Sequence, residues 1–379
     1  MRVGDTIYLD YQASTPIDDR VLMIMQEASK TLFGNPHAAD HALGWRAAAA
    51  ISAAANQIGN LFGLQGDDIL FTSGASEANA IVIRTAEELA SRSQRTELLI
   101  GAADHGSIIG EAARSRLTQR EIPLGHNGAP NPACLEAMIS DATALVSIIG
   151  VNNENGAIAD LKVISDICME GGAILHVDLA QAPLAMDIDL LDLNIAFATI
   201  SAHKVYGPKG IGALLMAPGL SDEIEPVIVG AGQQGGRRGG TMPTELILGF
   251  GEACRLISDI GSNERKLIAA IRDDFVGRLE TSQSAELVGD ISKRHPGNAL
   301  MHFPGRDASD LLARLQPFIA ASTQSACSSG SVEPSHVVQA MGYDRTYASE
   351  CVRFSFGRYS DFQQVDQVVA ILENVLSEC

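Results

Sequence analysis

A lysine and an acid follow two apolar segments of this 379-residue chain. Asp178 comes directly after Ala173–Val177, and Lys204 comes shortly after Ile195–Ile200. Both segments predict buried strands, and in an open α/β sheet ligands bind beyond the carboxyl ends of the strands. A lysine amine that can condense with an aldehyde, beside an acid that keeps a pyridine nitrogen protonated, is the pair that pyridoxal phosphate chemistry needs.

A glycine-containing turn upstream of this pair predicts a phosphate site. The run 72–77 follows a predicted strand and opens a helix. Gly74 permits a tight turn, and free N–H groups at the helix start, around Ala75 and Ser76, can hold an anion. An ordinary serine-capped helix has the same pattern, so this motif depends on its neighbours for support.

Two more polar residues leave the predicted sheet at the same edge. His105 ends the next strand, where its ring could stack on a flat cofactor and move protons. Asn153, in the polar run 151–156, follows the third strand and is a candidate contact for the cofactor or the substrate. An isolated histidine or a polar turn is more often structural, so both predictions rest on the neighbouring strand ends.

Residues 230–241 form a basic loop dense in glycine, which is called the glycine loop below. Arg237 and Arg238 are adjacent within it, in a chain whose formal net charge is −19. Adjacent arginines in such a chain indicate an anion nearby, either a phosphate or a carboxylate. A mobile linker is the alternative interpretation.

A third cationic candidate, Arg353, lies in an apolar strand-like run. A buried arginine needs a partner. The partner is either an acid of the same chain or the carboxylate of a substrate held by both arms of the guanidinium.

Cys327 is set in a small, polar, loop-like run, residues 323–331, of the kind that exposes a thiolate. Its reactivity depends on its local pKa. Cys379 is the last residue. The remaining cysteines sit in apolar or helical patterns that favour small core residues, namely Cys134, Cys168, Cys254 and Cys351.

Composition and charge narrow the class of protein. The strongly acidic balance argues against nucleic-acid binding. The start at Met1 has no apolar signal segment, and no apolar run is long enough to span a bilayer, so we expect a cytoplasmic protein without membrane contact. The cysteines are far apart and form no C-x-x-C pair, so no metal site is expected and the thiols are expected to be reduced.

Alternating strand-like and helix-like segments predict an α/β fold with a mostly parallel sheet. After about residue 251 the pattern changes to a long helix over 244–280, strands at Asn298–Phe303 and Cys351–Phe356, and a last helix opening with a Ser360–Gln363 capping box. This part predicts a smaller α+β domain. The strand candidates of the first part are Ile69–Thr72, Leu98–Ala102, Ala144–Gly150, Ala173–Val177, Ile195–Ile200 and Gly212–Met216.

Together these motifs resemble the cysteine desulfurases, which are class V aminotransferase-like, fold-type I pyridoxal phosphate enzymes. The resemblance runs almost end to end, from Tyr8–Pro16 and Phe33–His37 to Ser201–Gly210 and Arg353–Arg358. The extended segment Ser325–Pro334 is similar to the group I (NifS/IscS) branch. The resemblance implies a seven-stranded, mostly parallel sheet with helices on both faces. It also implies a large cofactor domain at 16–250 and a small domain at 1–15 plus 251–379.

The resemblance also implies a role for each candidate residue. Lys204 would hold the cofactor and shuttle protons, His105 would stack on its ring as acid and base, and Asp178 would pair with the pyridine nitrogen. Cys327 would take the sulfur. Other cofactor contacts would come from Gly74, Ala75, Ser76, Asn153, Gln181, Ser201 and His203, with Thr241 reaching in from the second subunit of a homodimer, and substrate contacts from Asn35, Asn153 and Arg353.

The chain departs from this family pattern in three places. Gln234 and Gly235 stand where a Glu-Arg pair is usual, which affects the expected dimer contact. Thr323 and Gln324 stand where Ser-Gly is usual. The resemblance to housekeeping members implies a further C-terminal tail that helps dock the iron–sulfur scaffold protein; the printed sequence ends at Cys379, so this partner is left open.

The sequence therefore predicts conversion of L-cysteine to L-alanine, with the sulfur left as a persulfide on Cys327 for iron–sulfur cluster or other sulfur-containing cofactor biosynthesis. The expected partners are a second copy of the chain and a sulfur-acceptor protein. Selenocysteine lyase is the nearest alternative, because the same site cleaves a C–Se bond. A pyridoxal-phosphate-binding partner protein with little activity of its own is an alternative of another class.

Overall fold

The computed structural model describes residues 1–323 and 334–377. Its strands are β1 (Arg2–Val3), β2 (Thr6–Tyr8), β3 (Ile69–Thr72), β4 (Glu97–Gly101), β5 (Thr118–Ile122), β6 (Thr143–Ile149), β7 (Ile174–Asp178), β8 (Phe197–Ser201), β9 (Gly212–Met216), β10 (Glu286–Leu287), β11 (Asn298–His302), β12 (Ile319–Ala320) and β13 (Cys351–Ser355). Its helices are α1 (Asp19–Thr31), α2 (Ala42–Asn60), α3 (Ala75–Ser93), α4 (Gly106–Ala112), α5 (Pro132–Met138), α6 (Leu161–Glu170), α7 (Thr244–Thr281), α8 (Ala308–Arg314), α9 (His336–Ala340), α10 (Arg345–Ser349) and α11 (Phe362–Ser377).

Seven strands form the central sheet, in the order β3-β9-β8-β7-β6-β4-β5. β9 runs antiparallel to its neighbours β3 and β8, whereas every pair from β8 to β5 is parallel. All residues of β6, β8 and β9 are buried, as expected for strands that helices cover on both faces. The predicted α/β class with a mostly parallel seven-stranded sheet is confirmed.

Successive residues of each central strand pack against helices on opposite faces of the sheet. In β4, Leu98 and Ile100 join a hydrophobic cluster with side chains of α3 and α4. Leu99, between them, joins the cluster that contains Ile58 of α2 and Phe250 of α7. This alternation with a period of two residues produces a sheet between two helical layers, and it leaves the strand ends free to carry polar side chains.

A second hydrophobic core joins the two ends of the chain. Ile7 and Leu9 pack there with side chains of α7, α11, β11 and β13, and β2 pairs in parallel with β12. An antiparallel sheet, β10-β11-β13, lies in the same part. This packing supports the division that we propose, with a large domain at 16–250 and a smaller α+β domain at 1–15 plus 251–379. Along α7, buried side chains up to Ile257 belong to the core of the central sheet, and those from Ile268 onward belong to the second core.

One strand was not predicted, and one local expectation needs correction. The sequence pattern does not indicate β5, because this edge strand has only one buried residue, Ile122. The last helix begins at Phe362, and the Asp361 carboxylate caps it by accepting from the N–H of Gln364 at 2.7 Å. Ser360, the expected cap, accepts from the N–H of Gly357 instead.

Within the described ranges, no helix has the length and apolar character needed to cross a membrane.

Candidate active site

Lys204 lies in a short turn that follows β8 at the carboxyl edge of the sheet. Its amine Nζ donates to the carbonyl oxygens of Gln12 at 2.7 Å and Ala13 at 2.9 Å. These contacts tie the lysine to the N-terminal segment. The turn itself is fixed by Thr15, whose N–H and hydroxyl both donate to the carbonyl of His203.

Asp178 is the last residue of the neighbouring strand β7. Its carboxylate accepts from the side-chain amide of Asn79 at 3.1 Å and from the N–H of Ala180 at 3.0 Å. Two residues earlier, the His176 ring bonds Ser147 and Thr199, and burial lowers its pKa to about 4. The carboxylate is therefore held in one orientation above a neutral histidine.

His105 caps the N-terminus of α4. Its Nδ1 accepts from the N–H of Ser107 at 3.1 Å, so the neutral ring carries its proton on Nε2. The preceding residue, Asp104, is fully buried and accepts from the N–H groups of Gly101 and Ile149. Burial raises the pKa of Asp104 well above its ordinary value. This link between β4 and β6 places His105 at the same edge as Asp178.

The predicted phosphate turn joins β3 to α3. Gly74 is the N-cap of α3 and has no side chain with which to cap it. The backbone of β9 packs closely against this turn, because a Cβ at Gly212 would lie 2.7 Å from the Cα of Gly74. Glycine at both positions therefore allows the helix N-terminus to face the strand ends.

These strand ends enclose one cavity of about 620 Å³. It has main-chain N–H and hydroxyl groups at the phosphate turn, imidazoles after β4 and β8, a carboxylate at the end of β7 and an amine after β8. The predicted residues that line it are Gly74, Ala75, Ser76, His105, Asn153, Asp178, Gln181, Ser201, His203 and Lys204.

The cavity fits pyridoxal phosphate. Anion-binding groups at the helix N-terminus suit the phosphate, a fixed carboxylate suits a protonated pyridine nitrogen, and the lysine suits the aldehyde. When bound, this cofactor supplies an electron sink for charge that develops at the substrate. Among the described residues, no group of three or more His, Cys, Asp or Glu side chains is arranged to hold a metal ion.

The side chains of His203 and Gln181 are already oriented by hydrogen bonds. The Nδ1 of His203 lies 3.3 Å from the hydroxyl of Ser14. Burial, helped by the charges of Lys204 and Lys209, lowers the pKa of His203 to about 4. Gln181 donates through Nε2 to the carbonyl of Gln12 at 2.8 Å. A neutral His203 can still donate a hydrogen bond to a phosphate.

Arg353 is buried in β13 and has a partner from its own chain. Its guanidinium donates to the Asp10 carboxylate at 2.7 Å and to the carbonyl of Asn153 at 2.5 Å. Its Nε has no hydrogen-bond partner among the described residues. The intramolecular salt bridge, one of the two interpretations from the sequence, is thus present.

Of the predicted site residues that the structure describes, three do not line the cavity, namely Thr241, Asn35 and Arg353. Thr241 and Asn35 are exposed; the Asn35 side chain accepts from the N–H of His37. Cys327 lies outside the described residues, as does Cys379.

The other four cysteines form no disulfide with one another. Burial raises the pKa of Cys168 and of Cys351 to about 12, and it raises the pKa of Cys254 further. A thiol must ionise to act as a nucleophile. Burial therefore disfavours the thiolate form of these three cysteines.

Sequence reasoning missed several groups of this site. Gln12 and Ala13 contribute main-chain carbonyl oxygens, and no side-chain pattern can reveal these. The sequence did contain a signal for Asn79, which is an amide among the apolar residues of α3. The structure shows that this amide is fully buried. Glu77 and Lys209 also line the cavity, and both lie inside runs that the sequence analysis singled out.

The family comparison matches the aminotransferase class-V family over residues 7–368. Cysteine desulfurase IscS of Rickettsia bellii is 37% identical over 373 residues, covering 97% of this chain and 90% of the relative. The same enzyme of Rickettsia felis is 36% identical over 372 residues with the same coverage. The chain belongs to the aminotransferase class-V family.

Solved structures agree with this placement. A NifS-like protein superposes with a TM-score of 0.91 at 28% identity, covering 99% of this chain and all of the other. SspA in complex with cysteine superposes with a TM-score of 0.83 at 29% identity, covering 94% of this chain and all of the other. The resemblance drawn from the motifs is confirmed, and so is the class of enzyme, a pyridoxal-phosphate-dependent cysteine desulfurase.

Proposed function

We propose that this chain converts L-cysteine to L-alanine and keeps the sulfur as a persulfide on Cys327. The C–S bond of the substrate breaks, its β-carbon gains a proton, and the released sulfur bonds to the Cys327 sulfur. One cysteine and one thiol thus give one alanine and one persulfide. The observation that carries this proposal is the single cavity in which Lys204, Asp178, His105 and the phosphate turn meet.

The residues of the cavity divide the work between binding and proton movement. Lys204 holds the cofactor and moves the proton at the substrate α-carbon through Nζ. His105 would stack on the ring of the bound cofactor and could exchange a proton through Nε2. Asp178 keeps the pyridine nitrogen protonated. The other cofactor contacts are Gly74, Ala75, Ser76, Asn153, Gln181, Ser201 and His203.

Arg353, Asn153 and Asn35 are proposed to hold the substrate. The buried guanidinium of Arg353 supports this role, because one of its donors, Nε, has no partner among the described residues. Asp10, which accepts from Nη2, would keep the guanidinium in place rather than compete with the substrate. Asn153 is joined to the same arginine through its carbonyl oxygen.

The active unit is proposed to be a homodimer in which Thr241 reaches the phosphate of the partner subunit. Thr241 is exposed in one chain. Large apolar side chains are exposed next to this loop in sequence, on α1, on α2 and between these two helices, namely Val229 at 80%, Met23 at 68%, Trp45 at 57% and Phe33 at 72%. Exposed apolar area of this extent is typical of a covered interface.

The persulfide is proposed to pass to a sulfur-acceptor protein, either an iron–sulfur scaffold or a sulfur carrier, in the cytoplasm. The described cysteines form no disulfide with one another, which fits a reducing compartment. Selenocysteine lyase remains a second candidate, since the cavity would admit either amino acid. Turnover of L-cysteine and L-selenocysteine by the same preparation separates the two.

Cys327→Ser tests the sulfur step directly. Serine keeps the size of the side chain but is a poor acceptor of sulfur, so alanine formation should fall by roughly two orders of magnitude or more. Binding of L-cysteine should persist. The measurement is alanine formed per cofactor, together with mass spectrometry of the persulfide in the unmodified protein.

Cys134→Ser is the matched control and should turn over normally. Near-normal turnover by Cys327→Ser, or a persulfide found mainly on another cysteine, would contradict the assignment.

A further inference from the structure

The glycine loop is attached to the phosphate turn of its own subunit at two points. At the first, the side-chain amide of Gln234 accepts from the N–H of Phe71 at 2.8 Å and donates to the carbonyl of Phe71 at 2.9 Å. Phe71 belongs to β3, an edge strand of the central sheet. The amide pairs with this edge as a residue of an adjoining strand would, just before the chain enters the phosphate turn.

The second attachment is an ion pair that reaches the cavity. Arg238 donates through Nε and Nη2 to the two carboxylate oxygens of Glu77, at 2.8 Å and 3.2 Å. The Glu77 carboxylate also accepts from the N–H of Ser73 at 2.7 Å. Both side chains are largely buried, with 18% of Arg238 and 8% of Glu77 exposed. Glu77 and Ser73 line the cavity beside Gly74.

A carboxylate at this place opposes the binding of a phosphate. Like charges that share a site repel one another, and the cost is larger when the site is poorly solvated. Burial by itself would raise the pKa of Glu77, but hydrogen bonds from Arg238 and Ser73 outweigh it and hold the pKa below its ordinary value. Glu77 is therefore ionised at neutral pH, and the charge of Arg238 balances it.

We propose that Arg238 is a positioning residue for the cofactor phosphate, and that it acts by neutralising Glu77 and holding it against the N–H of Ser73. The inference rests on the proposed function, because it assumes that the phosphate of pyridoxal phosphate occupies this turn. The inference assigns Arg238 to the phosphate site of its own subunit, whereas Thr241 of the same loop is proposed to serve the partner subunit.

The test is cofactor affinity of the apo protein, measured by absorbance titration with pyridoxal phosphate. Arg238→Gln leaves the Glu77 carboxylate unbalanced, so binding should weaken roughly tenfold or more. Glu77→Gln keeps an acceptor for Ser73 and removes the charge, so binding should equal or exceed that of the unmodified protein. The double variant should recover to within about threefold, because neither charge remains. If Arg238 only supported the loop, the double variant would bind pyridoxal phosphate as weakly as Arg238→Gln. Recovery of the affinity therefore indicates that Arg238 acts by balancing the charge of Glu77.

Two controls sharpen the result. Pyridoxal, which lacks the phosphate, should bind all variants alike. Arg237→Gln removes the same charge from the adjacent position, where the guanidinium donates to the carbonyl of Gln234 at 2.8 Å, and it should leave the affinity for pyridoxal phosphate unchanged. Thermal melting of each apo variant reports whether it is folded.

Three outcomes would overturn the inference. These are unchanged affinity in Arg238→Gln, a double variant as weak as the single one, or equal losses for pyridoxal and pyridoxal phosphate. Should Arg238→Gln fail to fold, Glu77→Gln decides alone, and binding about tenfold weaker than normal would contradict the proposal. If the unmodified apo protein binds no pyridoxal phosphate, the proposed function itself fails, so the two failures are distinguishable.

Discussion

Lys204 is held by two main-chain carbonyl oxygens, those of Gln12 and Ala13. Carbonyl oxygens fix the position of Nζ but carry no full charge. The amine can therefore lose its proton without leaving these two acceptors as buried anions. Asp178, in contrast, is a carboxyl group that the Asn79 amide and an N–H group orient. The site thus separates an amine that can become neutral from an acid that is held in place.

Replacing Asp178 by Asn tests the role of the acid. The amide keeps the size of the side chain but cannot stabilise a protonated pyridine nitrogen as a carboxylate does, so kcat with L-cysteine should fall by about a hundredfold or more. The cofactor should still be trapped on Lys204 by borohydride. Measurement of kcat together with the trapped fraction checks both statements, and an unchanged kcat would remove Asp178 from this role.

Residue types and spacing indicated most of the cavity, because side chains at strand ends can be predicted once the strands are known. They did not settle the partner of Arg353, because an acid of the same chain and the carboxylate of a substrate were both acceptable. The structure supplies Asp10, which is 343 residues away in sequence, and a single sequence contains no signal for such a pairing. The ion pair between Glu77 and Arg238 was hidden for the same reason.

At the scale of elements, Arg358 connects the C-terminal part of the chain to the segment around Lys204. Its guanidinium donates to Asp18, the N-cap of α1, at 2.7 Å and to Glu264 of α7 at 2.6 Å. The guanidinium carbon also lies 4.1 Å from the ring centroid of Tyr206. The main-chain N–H of Arg358 donates to the Tyr206 hydroxyl. Tyr206 follows Lys204 by two residues, so this cluster fixes one side of the turn that carries the lysine.

Arg358→Ala should destabilise the apo protein by roughly 1.5–3 kcal/mol, because it removes charged hydrogen bonds to the partly buried Glu264 and leaves Asp18 with Arg20 as its remaining arginine partner. Urea unfolding measures the effect. Arg278→Ala is the matched control, since Arg278 pairs with Asp274 and Asp366 on the surface of α7 and α11, where solvent makes such pairs weak. Equal stability of the two variants would contradict the account of this cluster.

The elements themselves were predictable where burial gives a clear pattern. The continuous apolar runs of β6, β8 and β9 and the long amphipathic α7 follow the sequence closely. β5 could not be predicted, because an edge strand with one buried residue shows no alternation of apolar and polar residues. The last helix was placed with the wrong cap, since Ser360 and Asp361 are both good caps and only the structure distinguishes them.

At the scale of the whole molecule, one chain leaves two predicted site residues, Thr241 and Asn35, at its surface. Asn35 lies two residues after Phe33, one of the most exposed large apolar side chains. A sequence cannot predict how a second copy docks, because docking depends on the shape of the folded surface. The proposed homodimer accounts for the exposed residues and for the apolar surface together.

Phe33→Asp places a charge in this surface and should convert the protein from dimer to monomer, with loss of most of its activity. Light scattering at several concentrations measures the mass, and alanine formation measures the activity. Met169→Asp, at an exposed apolar position near the end of α6, should change neither. A fully active monomer, in this variant or in the unmodified protein, would show that no site is shared between subunits.

The most direct measurement is the product balance of the purified protein loaded with pyridoxal phosphate and given L-cysteine and a thiol reductant. We expect one L-alanine for each sulfide released, and we expect Lys204→Ala to form neither product and to lose the bond that borohydride traps. Pyruvate and ammonia in place of alanine would contradict the central claim, and so would alanine formation that persists without Lys204.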